Sequence, residues 1–116
     1  MPQILGQPGF DSHYGALKTA ADATTVTFDL LVADKHQVTL GGNRTLALAN
    51  DQGAQTFLII LNQDSTGNCT VTWWTGIRWP GGTVPTLMTT PNKSALFVFV
   101  RLGSGAYLGF VGGRNL

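Results

Sequence analysis

Residues 55–63 read Gln-Thr-Phe-Leu-Ile-Ile-Leu-Asn-Gln, and the centre of this stretch, residues 57–61, is an unbroken apolar run. The run is too short to cross a bilayer, and polar residues flank it, which is typical of a buried strand. A second run of this kind occupies residues 94–102. Because successive side chains of a strand point to opposite faces, each run predicts a strand that is apolar on both faces.

Two such strands need a covering layer on each face, and a chain of 116 residues has none to spare for a third layer. A second copy of the chain would provide that layer, so the pattern predicts a homo-oligomer. The residues expected at the subunit interface are Phe57, Ile59, Leu61, Phe97, Phe99 and Trp74.

The remaining sequence from residue 24 onward alternates short apolar–polar stretches with turns. Val26, Phe28 and Leu30 alternate with polar residues, and Gly41-Gly42-Asn43 is one of several turn signals. The chain holds 15 Thr and 15 Gly but no Glu, which disfavours helices and favours strands and tight turns. Eight or nine strands at this spacing predict an all-β domain over residues 24–116. We expect a small antiparallel β-sandwich that resembles a jelly roll.

Residues 1–23 do not follow this pattern, because prolines and glycines interrupt every candidate strand or helix. Such a segment is either a frayed tail or an arm that becomes ordered on a partner. Disordered tails rarely carry many large apolar side chains, so the arm is the favoured interpretation. The residues expected to contact the partner are Ile4, Leu5, Phe10 and Tyr14.

Charge and cysteine content narrow the choice of partners. Only 11% of residues are charged and the net charge is +1, so no bulk attraction to nucleic acid or to an anionic membrane is expected. The one cysteine, Cys69, excludes an intrachain disulfide, and the first residues do not form a signal peptide. We therefore expect synthesis in a cytoplasm.

Catalysis is not expected, because the reactive side chains do not gather into a motif. His36 is interpreted as a solvated turn residue and Cys69 as a small buried apolar residue. His13 falls in the irregular arm, and the six aspartates lie mostly in or beside turns. The sequence predicts no catalytic residues, no cofactor and no metal site.

Three tryptophans, Trp73, Trp74 and Trp79, fall within seven positions. If exposed, their indole faces could stack on sugar rings. The alternative is that Trp73 fills the core while Trp74 reaches a subunit contact, and this second interpretation is favoured.

A set of motifs spans the same region. Residues 63–73 contain Gln-Asp-x-Thr-Gly followed by Thr-Val-Thr-Trp, residues 77–82 read Ile-x-Trp-Pro-Gly-Gly, and Pro85-x-Leu87 follows. Residues 24–111, with these motifs, resemble a recurring module of tailed-bacteriophage virion proteins. Trp74-Thr75 departs from that pattern, in which a proline usually follows the tryptophan, and residues 96–99 are more apolar than usual.

The resemblance implies a β-sandwich that assembles as a homotrimer on the virion surface. The short arm then predicts a capsid decoration protein, located on the capsid surface and bound by the arm to the major capsid protein. The alternative is a receptor-binding module, a tail-fibre tip or head fibre, that contacts a host-surface glycan through Trp79 and Tyr107.

Overall fold

The computed structural model describes residues 16–116, in which nine strands form most of the regular structure; this confirms the all-β class and the predicted number of strands. The strands are Leu17–Thr19 (β1), Thr25–Asp29 (β2), Lys35–Leu40 (β3), Arg44–Ala49 (β4), Thr56–Gln63 (β5), Val71–Thr72 (β6), Ile77–Arg78 (β7), Ser94–Gly103 (β8) and Ala106–Gly113 (β9). Two single 3-10 turns, Asp51–Gly53 and Pro80–Gly82, complete the regular structure. No helix within residues 16–116 has the length and apolar character to span a membrane.

The strands form two sheets that share one apolar core. The larger sheet has the order β1-β3-β5-β8-β9-β7, and the smaller has the order β2-β4-β6. From β2 to β6 the chain alternates between the two sheets. Each strand therefore pairs with the strand two places earlier in the chain: β4 with β2, β5 with β3, and β6 with β4. Consecutive strands in this part therefore face each other across the core.

This winding makes the predicted antiparallel, jelly-roll-like arrangement wrong for most of the molecule. Five of the seven strand pairs are parallel. Only β5–β8 and β8–β9 are antiparallel. Period-2 alternation looks the same in both kinds of sheet, and the turns at residues 41–43 and 50–53 pass the chain between sheets instead of forming hairpins. The turn at Gly103-Ser104-Gly105 is a hairpin that joins β8 to β9.

The core contains the inward side chains of both sheets. Val26 and Phe28 of β2 and Leu46 of β4 meet the inward residues of β3, β5 and β8 across it. The two long apolar strands have their odd-numbered residues in this core: Phe57, Ile59 and Leu61 in β5, and Phe97 and Phe99 in β8.

The prediction that these five residues form the subunit interface is therefore wrong. Each is at most 2% exposed within one chain, so none has surface left to bury against another. The opposite face of the same strands is also apolar, because an unbroken apolar run places apolar side chains on both faces of a strand. Other residues of the chain cover this face only partly. Its residues are Leu58 and Ile60 of β5, Leu96, Val98 and Val100 of β8, and Leu108 and Phe110 of β9; we call this the outer apolar face.

The Gln-Asp-x-Thr-Gly motif holds the turn after β5. The Asp64 carboxylate accepts hydrogen bonds from the backbone N–H groups of Thr66 (3.0 Å) and Gly67 (2.9 Å). The buried Gln63 amide accepts from Cys69 N–H at 3.0 Å and donates to the carbonyls of Cys69 (2.8 Å) and Met88 (3.1 Å). This motif therefore has a structural role, because it satisfies backbone groups that the core would otherwise leave unpaired.

The first described residues are attached to the edge of the larger sheet. β1 pairs with β3, and the Ala20 N–H donates to the Gln37 carbonyl at 2.8 Å. Arg44 holds the segment that follows β1 through two hydrogen bonds to the Asp22 carboxylate. These hydrogen bonds lower the pKa of Asp22. The predicted contact residues Ile4, Leu5, Phe10 and Tyr14 lie outside the described residues, so the proposed role of the arm stays a prediction.

Candidate functional site

An open groove of about 910 Å³ lies in the described part of the chain. All its lining residues fall within positions 71–84, the segment from β6 through β7 to the following loop. Three tryptophans, Ile77 and Val84 provide apolar walls, while Arg78 is the one charged residue among the lining. Mostly apolar concavities with a few polar groups are the usual form of small-molecule sites.

Glycines shape the two turns that border the groove. Gly76, between Trp74 and β7, has φ 90°, and a Cβ there would lie 2.1 Å from the Gly105 carbonyl oxygen. Gly81 and Gly82 have φ 68° and 71°, with open space around both. Their left-handed backbone, not crowding, therefore calls for glycine. The Trp-Pro-Gly-Gly motif thus forms the tight turn that follows Trp79.

The three tryptophans join the core phenylalanines in one aromatic cluster. Trp73 packs edge-to-face on Phe97 with ring centroids 4.8 Å apart and on Trp79 at 5.2 Å. Trp74 lies 4.8 Å from Phe99. These separations are in the favourable range for aromatic pairs, so one face of the cluster supports the core while the other lines the groove. Trp73 packs on the core, as the favoured interpretation predicts, and it also lines the groove. Stacking of the tryptophans on sugar rings stays a prediction.

Tyr107 is not among the residues that line the groove, and its burial leaves almost no surface for the predicted glycan contact. Its side chain is buried, and its hydroxyl donates to Asp51 Oδ2 at 2.9 Å, the oxygen that also accepts from Arg101 Nε at 3.2 Å. Burial, followed by the Asp51 contact, raises the pKa of Tyr107 to about 12, and the same hydrogen bonds lower the pKa of Asp51. This trio joins the turn at residues 51–53 to the β8–β9 hairpin.

Trp79 does line the groove, although only 8% of its surface is exposed. Its role in ligand binding stays a prediction. Trp74 also lines the groove and is half-buried. Its predicted contact with another subunit stays a prediction. The sequence pointed to this segment through its tryptophans but not to Arg78, Ile77 and Val84. These residues complete the groove only when the turns at Gly76 and Gly81 fold.

Two polar groups in the groove have no partner among residues 16–116. Arg78 is exposed and makes no salt bridge there, in contrast to Arg44 and Arg101, which pair with aspartates. The Trp74 indole N–H is shielded from solvent and unpaired. Both groups are hydrogen-bond donors only.

The second cavity, of about 320 Å³, lies between β1 and β2 and has His36 in its lining. His36 is only 1% exposed, so its interpretation as a solvated turn residue is wrong. It belongs to β3, and its ring packs on Phe28. Its Nε2–H donates to the Ala33 carbonyl at 2.8 Å, Nδ1 is unpaired, and burial lowers its pKa.

Cys69 is buried, as predicted, and burial raises the pKa of its thiol. Within residues 16–116 no three His, Cys, Asp or Glu side chains gather into a metal-binding group.

The groove-forming segment lies inside a match to a known family. Residues 27–106 match the model of the family described as "Putative phage tail fibre C-terminal domain". The chain belongs to this family. The match covers well over half of the chain, from within β2 to the first residue of β9. No curated protein and no solved structure matches the chain.

Membership of the tail fibre family supports the predicted resemblance at the level of a phage virion module. It makes the chain a structural component of tail-fibre type and points away from an enzyme. The match supports a tail-fibre role and does not confirm decoration of the capsid.

Proposed function

We propose that this domain is a host-binding module of a phage tail fibre and that the aromatic groove receives a glycan of the host surface. The groove carries this proposal, because its tryptophan, isoleucine and valine walls offer the apolar surface on which sugar C–H faces stack. Thr72 and Thr75 add exposed hydroxyl groups among the lining residues. The family match supports the tail-fibre part of the proposal.

A substitution at Val84 tests the groove directly. Val84 is 54% exposed, so Val84→Gln should preserve the fold and place a polar amide on the groove wall. Leu31→Gln is the matched control, because Leu31 is 58% exposed and does not line the groove. Full burial of a valine against a ligand contributes about 1.5 kcal/mol, which corresponds to roughly ten-fold in affinity.

The assay is binding of the labelled chain to printed bacterial surface polysaccharides. We expect the wild type and Leu31→Gln to bind one class of glycan and Val84→Gln to bind it roughly ten-fold more weakly. Binding to no glycan, or binding that Val84→Gln leaves intact, would contradict the proposal.

The predicted homotrimer stays part of the proposal, but its interface moves to the outer apolar face. Cross-strand neighbours there form a continuous patch: Leu58 pairs with Val98, and Val98 pairs with Phe110. Contiguous apolar patches of this kind on soluble proteins commonly mark protein contacts. β3 continues the face with polar residues such as Gln37 and Thr39, so the apolar patch has a polar border.

Val98→Glu places a charge at the centre of this patch, and Thr39→Glu places the same charge on its polar border. By light scattering after gel filtration, we expect trimers for the wild type and Thr39→Glu and monomers for Val98→Glu. A monomeric wild type, or a Val98→Glu variant that keeps its mass while folded, would refute this interface.

Capsid decoration through Ile4, Leu5, Phe10 and Tyr14 is the other candidate role on the virion. The family description favours the tail fibre over it. Binding of the purified chain to capsids, with no binding to host cells or glycans, would reverse this preference.

A further inference from the structure

The ligand chemistry of the groove can be inferred from the charges around it, on the basis of the proposed function. No acidic residue follows Asp64 in the sequence, whereas Arg78, Lys93, Arg101 and Arg114 do. Of these four, Arg101 is paired with Asp51. Arg78 lines the groove, is exposed and has no salt-bridge partner in the described part of the chain. A cation in a groove without carboxylates favours an anionic ligand.

The hydrogen-bonding inventory of the groove leads to the same conclusion. The guanidinium of Arg78 offers five N–H donors and no acceptor. The hydroxyls of Thr72 and Thr75 can either donate or accept hydrogen bonds. A ligand that fits this set presents more acceptors than donors next to its apolar ring faces.

We propose that the groove selects a carboxylate-bearing sugar, such as a hexuronate, with its carboxylate on Arg78 and its ring on the tryptophan wall. A guanidinium pairs with a carboxylate through two parallel hydrogen bonds. One carboxylate balances the one positive charge of the groove. A phosphate monoester carries about −1.5 to −2 near neutral pH and would bring uncompensated charge against the apolar walls.

The test uses the same polysaccharides printed in two forms, native and carboxyl-reduced, so that each pair differs only in whether the sugar carries a carboxylate or a neutral hydroxymethyl group. Phosphate-bearing polysaccharides are printed beside them. The variants are Arg78→Gln and, as a matched control, Arg114→Gln, an exposed arginine that does not line the groove. Because Arg78 has no salt-bridge partner among residues 16–116, its replacement should leave thermal unfolding unchanged.

We expect the wild type and Arg114→Gln to bind native uronate polysaccharides, and carboxyl reduction to weaken that binding at least roughly ten-fold. Arg78→Gln should lose a similar factor on the native form and lose nothing on the reduced form. Arg78→Lys keeps the charge but not the paired geometry, so its affinity should fall between those of the wild type and Arg78→Gln.

Equal binding to native and reduced forms, still weakened by Val84→Gln, would overturn the carboxylate assignment and leave the glycan-binding function standing. Binding confined to phosphate-bearing polysaccharides would also overturn it. If no printed glycan binds in a way that Val84→Gln weakens, the proposed function fails and this inference fails with it.

Discussion

Gly109, in the middle of β9, gives the floor of the groove its shape. A Cβ at this position would lie 2.8 Å from Ile77 Cγ2 and 2.8 Å from Trp79 Cζ3. Both contacts are roughly 0.7 Å shorter than the 3.5 Å at which carbon atoms attract. Trp79 cannot retreat freely, because its ring is 5.2 Å from Trp73 and 5.7 Å from Phe99, measured between centroids.

Gly109→Ala therefore forces the Trp79 ring or β7 to move. Overpacking of this kind raises the free energy of the folded state by about 1–3 kcal/mol. The lower entropy of an unfolded chain with alanine offsets about 0.4–1 kcal/mol. We expect a net loss of about 1–2 kcal/mol in unfolding free energy, with weaker glycan binding because the groove floor shifts.

Urea unfolding followed by tryptophan fluorescence measures this loss. Gly103→Ala is the control: it is also a strand glycine, its φ is not positive, and nothing lies within 4 Å of its added Cβ. Its unfolding free energy should equal that of the wild type or exceed it by up to about 1 kcal/mol, because alanine lowers the entropy of the unfolded chain. If Gly109→Ala is as stable as Gly103→Ala, the close packing of β9 against Trp79 is refuted.

Three further predictions concern buried polar groups. Gln63→Leu leaves the Cys69 N–H unpaired, so the free energy of unfolding in urea should fall by about 2–4 kcal/mol. The control Gln55→Leu changes an exposed residue and should lower it little. Equal losses would contradict the structural role of the Gln63 hydrogen bonds. His36 is buried with a lowered pKa, so below about pH 6.5 the unfolded chain binds the proton more readily and stability falls as pH drops. His36→Phe should make the unfolding free energy less dependent on pH between pH 7.5 and 5. The charged neighbours of His36 are Asp29, Asp34 and Lys18. An unchanged slope would show that His36 does not cause this pH dependence. Tyr107→Phe should raise the pKa of Asp51 towards 3.8, read by carboxyl NMR, while the pKa of Asp22 stays fixed; no rise at Asp51 would argue against the hydrogen bond.

The sequence predicted the strands better than their arrangement. Alternation located β2, because burial of one face of a strand gives a period of two, and the unbroken apolar runs located β5 and β8. It could not give strand direction, since parallel and antiparallel strands have the same alternation. The turns at residues 41–43 and 50–53 look like hairpin turns in sequence, yet they carry the chain across the core.

The double-sided apolar runs show a similar limit. They correctly predicted a face without cover, but not which face. Phe57 and Phe99 are large aromatics that stack at 5.2 Å across neighbouring strands and fill the centre of the sandwich. The aliphatic residues between them, such as Leu58 and Val98, face outward. Choosing between the faces required the positions of β2 and β4 in the opposite sheet.

The groove was predictable only in part. The cluster of tryptophans marked the segment, and the glycines marked its turns. Arg78 has no distinguishing sequence pattern, because its importance depends on its position in the groove and on the absence of a salt-bridge partner within residues 16–116. His36 was misassigned because a histidine between lysine and glutamine suggests a surface, whereas strand alternation turns it towards Phe28.

The measurement that tests the groove most directly is an NMR titration of the ¹⁵N-labelled chain with the polysaccharide fragment that binds best on the array. The chain has only three tryptophans, and all three line the groove, so their indole N–H signals report on it. We predict that these signals and the backbone signal of Val84 shift on titration, while the signals of Leu31 and Thr39 do not. Shifts confined to the outer apolar face, or indole signals that stay in place at saturation, would contradict glycan binding in the groove.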